Sequence, residues 1–378
     1  MSDRSRIPSL PDDIVNSILI KLPVTSLLRF KCICKSWRFS ISNPNFIKLH
    51  LHESSANISR QKLFFVSFRN IFRSNAKFQF HEALLGVDSK VLLVNPPFPE
   101  FCHSLFSDFE VHSCNGLVLM KTEINMILWN PAIRKYKLLP KPDDKLLPWY
   151  DDALFDFAYD LVADDYKVVC VKLRKYQRDM IAGIFSINNH SWKRIDNIPI
   201  PRGFQLFYQD LVSLNGTINI MAASNIGNYK QDSEYLVISL YLANEKFAIT
   251  PVPGKHKYKL KLRAFANRIC ISWMVGGKIS IWALKEDGKT GLTWNNIMNI
   301  PTLGSLIGKP TWGDFIFLKA NGNILYKMVD NDGYYLIEYN VRKDEATEYC
   351  LDELPMKGIR GVSLLHVESL VSSAILWD

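Results

Sequence analysis

The sequence predicts an α+β multidomain chain, in which a small all-α module precedes an all-β propeller of about six blades. Two observations predict this order. Apolar residues in the first fifty positions recur at helical spacing between prolines, whereas from about residue 62 they alternate with polar residues. In the second region a hairpin pattern also recurs about every 50 residues, which is typical of propeller blades. The expected domain bounds are 8–52 and 61–378.

The helical module begins at residues 10–13, Leu-Pro-Asp-Asp, where a proline needs no N–H partner and two carboxylates favour a helix N-terminus. Pro23 ends this helix and starts a second over 24–31, and a third over 34–41 stops at Asn43-Pro44. A unit of about 45 residues is near the lower limit for independent folding. The apolar arc of the first helix covers roughly 140°, more than one core contact needs, and it comprises Ile14, Val15, Ile18, Leu19 and Leu22. The surplus predicts a docking face.

Residues 10–15, 18–30 and 32–37 of this module resemble an F-box. F-boxes bind the Skp-family adaptor of cullin–RING ubiquitin ligases, so the resemblance implies this adaptor as a partner. It also implies adaptor-binding or adaptor-supporting roles for eight residues, namely Leu10, Pro11, Ile14, Ile18, Leu27, Phe30, Cys34 and Trp37. The residues alone leave open which of them contact the adaptor and which fill the module's own core. The alternative is a helical cap packed on its own chain.

Composition is that of a globular protein, with 48% hydrophobic and 22% charged residues. Because no apolar run approaches the ~20 residues of a membrane span, we expect no membrane partner. Seven scattered cysteines predict free thiols in a reducing compartment, and hence a cytoplasmic or nuclear location. Since basic residues occur in most segments, the net charge of +9 is a weak argument for a nucleic-acid partner.

Strand and hairpin signals follow the helical module. Apolar runs at 62–68, 91–94 and 116–120 predict strands. Hairpin turns need residues that tolerate positive φ, and such pairs occur at Asn115-Gly116, Asn215-Gly216, Gly276-Gly277 and Asn321-Gly322.

A longer pattern occurs five times. An apolar strand is followed by a polar turn, an aromatic residue and then a proline; the aromatic residues are Tyr136, Trp192, Phe247, Trp294 and Tyr349. About 310 residues at this period predict about six kelch-like blades; a pair of β-sandwiches is the alternative.

Several of these segments resemble the F-box-associated domain of plant F-box proteins, among them 113–118, 128–136, 157–160, 164–169, 185–193 and 281–286. The two resemblances together cover nearly the whole chain. They imply a substrate-recognition subunit of an SCF-type cullin–RING E3 ubiquitin ligase that binds an unidentified target protein for ubiquitination and proteasomal degradation. Members of this family act in plant self-incompatibility and immunity. Two alternatives are an adaptor-bound scaffold without degradation and a propeller enzyme.

Motifs for bond chemistry are scarce. Gly288-Lys289-Thr290 lacks the upstream glycine of a phosphate loop. Cys32 and Cys34 have the wrong spacing for paired zinc ligands. Neighbouring acids such as Asp164-Asp165 are typical of solvated turns. We therefore expect a non-catalytic chain with no cofactor and no metal site.

One basic run is a candidate for target binding. Strand geometry over 255–263 places alternate cations on one face along ~20 Å, and these are Lys257, Lys259, Lys261 and Arg263. Such a row attracts an acidic or phosphorylated partner. The preferred interpretation is that the lysines protect an exposed edge strand from edge-to-edge aggregation.

Overall fold

The structure is a computed structural model that describes residues 10–57, 60–69, 77–84, 91–98, 110–122, 125–143, 153–174, 179–224, 232–256, 260–265, 268–287, 291–302, 312–318, 323–330, 333–349 and 360–371. Within these ranges the chain forms a short helical region followed by six four-stranded antiparallel sheets, which confirms the predicted fold class. The helices are α1 (Asp12–Leu19), α2 (Val24–Phe30), α3 (Lys35–Ser42) and α4 (Pro44–Ala56).

Prolines and short polar side chains set the helix boundaries. Pro11 and Pro23 stand immediately before α1 and α2, as the sequence predicts. The Cys34 thiol accepts a hydrogen bond from the Trp37 N–H at 3.5 Å and so caps α3. Asn43-Pro44 not only ends α3 but starts α4, because the Asn43 side chain accepts from the Asn45 N–H at 2.8 Å and proline is favoured in the first helical turn.

The six sheets are the blades of a propeller. Blade 1 contains β1 (Gln61–Arg69), β2 (Lys77–Leu84), β3 (Val91–Val94) and the last strand, β24 (Arg360–Val367). Blade 2 contains β4 (Glu110–Cys114), β5 (Leu117–Lys121), β6 (Met126–Asn130) and β7 (Lys135–Leu139). Blade 3 contains β8 (Ala153–Asp160), β9 (Asp165–Arg174), β10 (Asp179–Ser186) and β11 (Ser191–Pro199).

The remaining blades follow in chain order. Blade 4 contains β12 (Phe204–Leu214), β13 (Thr217–Ser224), β14 (Tyr235–Tyr241) and β15 (Lys246–Pro251). Blade 5 contains β16 (Lys261–Phe265), β17 (Arg268–Val275), β18 (Lys278–Asp287) and β19 (Gly291–Pro301). Blade 6 contains β20 (Trp312–Leu318), β21 (Ile324–Asp330), β22 (Gly333–Asn340) and β23 (Glu345–Tyr349).

Tight turns join the strands where the sequence predicts them. Asn115-Gly116, Asn215-Gly216 and Gly276-Gly277 all have positive φ, between 48° and 77°, as two-residue hairpins require. The pair Asn321-Gly322 lies outside the described residues. Each of the five predicted aromatic hairpins forms the third and fourth strands of a blade.

The ring closes when the last strand completes the first blade. β24 pairs antiparallel with β1, from Gln61 opposite Val367 to Phe68 opposite Arg360. The strands β24, β4, β8, β12 and β16 contact their neighbours in this order, so they line the propeller axis. The apolar core lies between adjacent blades; for example, Phe64 of blade 1 packs edge-on against Trp129 of blade 2, with ring centroids 5.8 Å apart.

No helix among the described residues combines the length and the apolar character that a membrane span requires.

Candidate adaptor-docking and target-binding surfaces

The first helix exposes a row of large apolar side chains. Ile14 and Ile18 are four residues apart and thus lie on one face of α1, while Leu10 immediately precedes the N-cap residue Pro11; between 44% and 58% of each residue is exposed. The opposite side of the same helix carries Leu19, which is 2% exposed and packs in the module core. The wide apolar arc predicted from the sequence therefore divides into a buried half and an uncovered half.

The eight residues assigned by the F-box resemblance fall into three groups. Leu10, Pro11, Ile14, Ile18 and Cys34 are exposed. Phe30 and Trp37 are half-buried and pack on each other, with ring centroids 5.2 Å apart. Leu27 is 0% exposed in the module core, so it can support the docking face but does not lie on its surface. The sequence could not separate these groups because all eight positions are apolar or sit at helix ends.

Three further exposed apolar residues of the module were missed by the sequence reasoning. Ile33 and Leu49 are more than half exposed, and Phe39 is 76% exposed. Phe39 is two residues from the buried Ile41 on a short helix, so it points away from the core. A large aromatic residue off the core face of a helix is the sequence signal that could have identified it.

The buried half of the module rests on the propeller. Its core contains Leu370, from the segment that follows β24, and it also packs against Ala132 and Ile133 of the β6–β7 turn. The alternative prediction of a helical cap packed on its own chain thus describes this half of the module, whereas the Leu10, Ile14 and Ile18 face remains open.

The fourth helix adds a second attachment. Ile47 and Leu51 pack on the apolar cluster between blades 2 and 3, and the Lys48 ammonium lies 2.7 Å from the Asp164 carboxylate in the β8–β9 turn. His50 contributes inside the module, where its Nε2 lies 2.9 Å from the Leu22 carbonyl oxygen. Burial lowers the pKa of His50, because an environment without water disfavours the charged form of the ring.

The C-terminal segment links these parts. The Asn130 amide Nδ2 donates to the carbonyl oxygens of Ser369 and Val371 at 3.1 and 3.0 Å. Val371 enters the cluster between blades 2 and 3, while Leu370 on the other side enters the helical module. Adjacent residues of this segment, Leu370 and Val371, therefore belong to two different cores.

The helical module occupies one face of the propeller. The turns at 115–116, 161–164 and 215–216 lie on this face: Gly116 abuts Ser369, Asp164 pairs with Lys48, and Gly216 lies beside Tyr159. Strand direction alternates within each blade, so the turns after the second strand and the connections between blades lie on the opposite face. Hydrogen bonds there join Thr302 to Gly277 and Ser233 to His256.

The β16 end of the basic run lies at the propeller axis rather than at an outer edge. Lys257 and Lys259 are outside the described residues. Lys261 and Arg263 are half-buried on β16, alternating with the buried Leu260 and Leu262 as the strand period predicts. β16 is the edge strand of its sheet, but it is the inner edge and contacts β12 of blade 4. At Lys261 and Arg263 this edge faces blade 4 and not open solvent, whereas for Lys257 and Lys259 the protection of an exposed edge stays a prediction.

A buried charged cluster lies between blades 2 and 3. The His112 Nδ1 is 3.1 Å from an Asp156 carboxylate oxygen, and the Lys121 ammonium is 2.9 Å from Glu110 and 4.6 Å from the Phe155 ring centre. Burial alone would lower the pKa of His112, but Asp156 and Glu110 raise it to about 10. The raised pKa favours the charged form of His112 at neutral pH, where it pairs with the carboxylate of Asp156.

The acidic turn residues also have structural roles. Asp164 is exposed, as predicted for a solvated turn, but Asp165 is buried and accepts hydrogen bonds from Ser186 and the Asn188 N–H. Among the described residues, no group of three or more His, Cys, Asp or Glu side chains is arranged to hold a metal ion.

Comparison with known families matches both parts of the chain. The F-box domain family matches residues 7–49, and the family described as F-box associated beta propeller domain matches residues 33–373. An F-box/kelch-repeat protein of Arabidopsis thaliana is 28% identical over 355 residues, which are 88% of this chain and 92% of that protein. The F-box protein ETP2 of Arabidopsis thaliana is 24% identical over 96% of this chain and 95% of its own length.

Among solved structures, a nidogen/laminin complex gives a TM-score of 0.44 at 8% identity, over 82% of this chain and 99% of that chain. The F-box is the domain through which such proteins bind Skp-family adaptors, and the two matched domains together support a substrate-recognition adaptor of the SCF type. The helical module at the N-terminus and the six blades that follow agree with the matched order. The chain therefore belongs to the plant F-box proteins that carry an F-box associated β-propeller domain.

Proposed function

We propose that this chain is the target-binding subunit of an SCF-type cullin–RING ubiquitin ligase and sends its target for ubiquitination and degradation. The helical module, over residues 8–52, binds the Skp-family adaptor through the open face of Leu10, Ile14 and Ile18. Cys34 and the Phe30–Trp37 pair support this face from the adjoining helices. The propeller, over 61–378, binds the target.

One observation carries the proposal: α1 has two apolar faces, and only one of them is covered by the rest of the chain. One face is buried against Leu370 and blade 2, and the other is left open. Three exposed aliphatic residues together, two on a short helix and one just before it, are typical of a surface that binds a second protein. Because the buried face fixes the module to the propeller, whatever binds the open face is held at a defined position relative to the target.

In this proposal the chain performs no bond chemistry. It holds a target lysine near a ubiquitin-conjugating enzyme that is bound elsewhere in the assembly, which raises the local concentration of the reacting groups. A fixed connection serves this purpose better than a flexible linker, since it restricts the volume that the target explores. The attachment through Leu370, Ile47 and Leu51 supports such a fixed connection.

The helical module covers part of one propeller face, so we infer that the target binds the opposite face. That face carries the connections between blades, which vary in length from four residues between β11 and β12 to fifteen between β3 and β4. Loops on a rigid scaffold can change in sequence with little effect on the core.

The test compares the half-life of the target in plant cells that express the intact chain or the Ile14→Glu/Ile18→Glu variant. The target is first identified by proximity labelling with both forms. We expect the intact chain to shorten the half-life in a proteasome-dependent manner and the variant to bind the target without shortening it. If both forms bind the target and neither changes its half-life, the chain is a non-degradative scaffold and the proposal fails.

Location and biological role follow from the same proposal. We infer a cytoplasmic or nuclear location, supported by five free cysteines among the described residues: Cys32, Cys34, Cys114, Cys170 and Cys270. Microscopy of a fluorescent fusion tests this location. A role in self-incompatibility or immunity depends on the target, so the labelled proteins themselves distinguish the two.

A further inference from the structure

The net charge of the chain is concentrated in one segment. Residues 246–285 contain nine of the 46 basic residues and none of the 37 acidic residues, so the rest of the chain is balanced at 37 of each. This differs from the even distribution that the sequence analysis assumed. This segment of 40 residues therefore carries a charge equal to the whole net charge of the chain, +9.

Several of these cations meet on the propeller face away from the helical module. Lys255 follows β15, Lys261 starts β16 and Lys278 starts β18, and all three strand ends lie on that face. In sequence, Lys257 and Lys259 fall between Lys255 and Lys261, although they are outside the described residues. By contrast, Lys246 and Lys285 are exposed at strand ends on the face of the helical module.

Aromatic rings lie beside these cations at the junction of blades 4 and 5. The His256 ring contacts Trp273 of blade 5 with centroids 4.8 Å apart, and it contacts Tyr235 of blade 4 at 6.0 Å. His256 and Trp273 are half-buried, so part of each ring faces solvent. Trp273 pairs with Ser280 across the β17–β18 hairpin, two residues from Lys278. The junction thus combines an accessible aromatic surface with flanking ammonium groups.

Local acids neutralise this junction only in part. The Lys255 ammonium lies 3.2 Å from Glu234, but both side chains are more than half exposed, and such a pair exchanges easily for another anion. Lys278 is exposed and forms no ion pair within the part of the chain that the structure describes. A partner that brings carboxylates to this site therefore gains attraction without breaking a buried ion pair.

We propose that the junction of blades 4 and 5, on the face away from the helical module, binds an acidic segment of the target protein. Carboxylates of that segment pair with Lys255 and Lys278, and an apolar or aromatic side chain packs on Trp273 and His256. This inference rests on the proposed function, since it names the chemistry of the target. A protein segment fits better than nucleic acid, because nucleic-acid sites follow a backbone over many phosphates and these cations cluster at one junction.

The test uses the full chain purified with its adaptor and measures fluorescence anisotropy with three labelled probes. The probes are a twelve-residue peptide of Asp, Glu and Phe, the same peptide with Asn and Gln in place of the acids, and a single-stranded RNA of similar length. We expect the acidic peptide to bind at least tenfold more tightly than the neutral peptide and the RNA. Equal binding of the two peptides, or preference for RNA, would overturn the proposal.

Paired charge reversals locate the site. Lys255→Glu/Lys278→Glu should weaken binding of the acidic peptide at least tenfold, whereas Lys246→Glu/Lys285→Glu should change it less than twofold. Both pairs alter the net charge equally and affect exposed lysines of the same segment, so only position differs. Equal losses in the two variants would show attraction by net charge without a site, and would contradict the proposal.

Adaptor binding is measured on the same samples. If the acidic peptide binds but the adaptor does not, the proposed function fails while the acidic-segment site stands. If the adaptor binds and the peptide does not, the proposed function stands and the acidic-segment site is rejected.

Discussion

The indole N–H of Trp192 in blade 3 donates a hydrogen bond to the carbonyl oxygen of Pro140 in blade 2, at 2.9 Å. Trp294 of blade 5 makes the same bond to Pro251 of blade 4, at 3.0 Å. In both cases an aromatic residue near the start of the outer strand of one blade is hydrogen-bonded to the proline that follows or ends the outer strand of the preceding blade. The repeated aromatic-and-proline pattern of the sequence is therefore a device for joining neighbouring blades.

Replacing one of these indoles tests the joint. Trp294→Phe removes the N–H and part of the buried indole, so we expect a loss in the free energy of unfolding that exceeds the about 1 kcal/mol of the hydrogen bond alone. Chemical denaturation measures it. Trp282→Phe is the matched control, because the Trp282 N–H bonds to Ser280 within its own blade. A larger effect at Trp282 than at Trp294 would contradict the account.

The sequence predicted features that depend on neighbouring residues. The Asn-Gly turns, the helix breaks at Pro23 and Asn43-Pro44, and the aromatic hairpins all carry their signal within a few positions. It did not predict contacts between distant parts of the chain. Leu27 and Ile14 have similar chemistry, but Leu27 lies in a core that includes Leu370, more than 300 residues away, whereas Ile14 is left exposed.

The same limit applies to the first blade and to the basic run. No aromatic hairpin signal marks blade 1, and its innermost strand comes from the other end of the domain, a pairing that carries no local signal. Alternation in 260–263 was correctly predicted, but whether an edge strand faces solvent or a neighbouring blade depends on ring closure. Local patterns specify elements, and the closed ring decides their surroundings.

Gly116 tests the contact between blade 2 and the C-terminal segment. A Cβ at this position would lie 2.4 Å from the Ser369 Oγ and 2.5 Å from the Val367 carbonyl oxygen. Gly116→Ala should therefore lower the free energy of unfolding by more than the about 1–2 kcal/mol that positive φ alone imposes on alanine. Gly277→Ala is the control, since Gly277 also has positive φ but no atom lies within 4 Å of its added Cβ. Equal losses would show that the C-terminal contact is unimportant.

Leu370 tests the attachment of the helical module. Leu370→Ala should lower the free energy of unfolding by about 2–5 kcal/mol and should make the module more susceptible to limited proteolysis, because the side chain fills its core. Leu138→Ala, which truncates an exposed leucine on β7, should have little effect on either measurement. Unchanged proteolysis of the module in Leu370→Ala would contradict the proposed attachment.

The half-buried His112 and the buried His366 should give the free energy of unfolding opposite dependences on pH. The pKa of His112 is about 10 when folded, above its ordinary value of 6.5, so its contribution is complete below pH 6.5 and is lost as pH rises toward 10. Burial, aided by Lys62, lowers the pKa of His366 to about 3, so its contribution is complete above pH 6.5 and is lost as pH falls.

Denaturation at pH 6, 7.5 and 9 separates these effects. Wild type should lose stability between pH 7.5 and 9 relative to His112→Asn, whatever the absolute stability of the variant. His52→Asn, at an exposed position, is measured alongside as the control for replacing a histidine by asparagine. Parallel curves for wild type and His112→Asn would contradict the assigned charge of His112.

The most direct test of the central claim is calorimetric titration of the full chain with a purified Skp-family adaptor. Ile14→Glu/Ile18→Glu places two charges on the open face of α1 and should weaken binding at least a hundredfold. Ile249→Glu, on β15 and 41% exposed, controls for adding a charge at an exposed isoleucine and should bind as wild type does. Wild-type affinity in the α1 variant would contradict the claim that this face binds the adaptor.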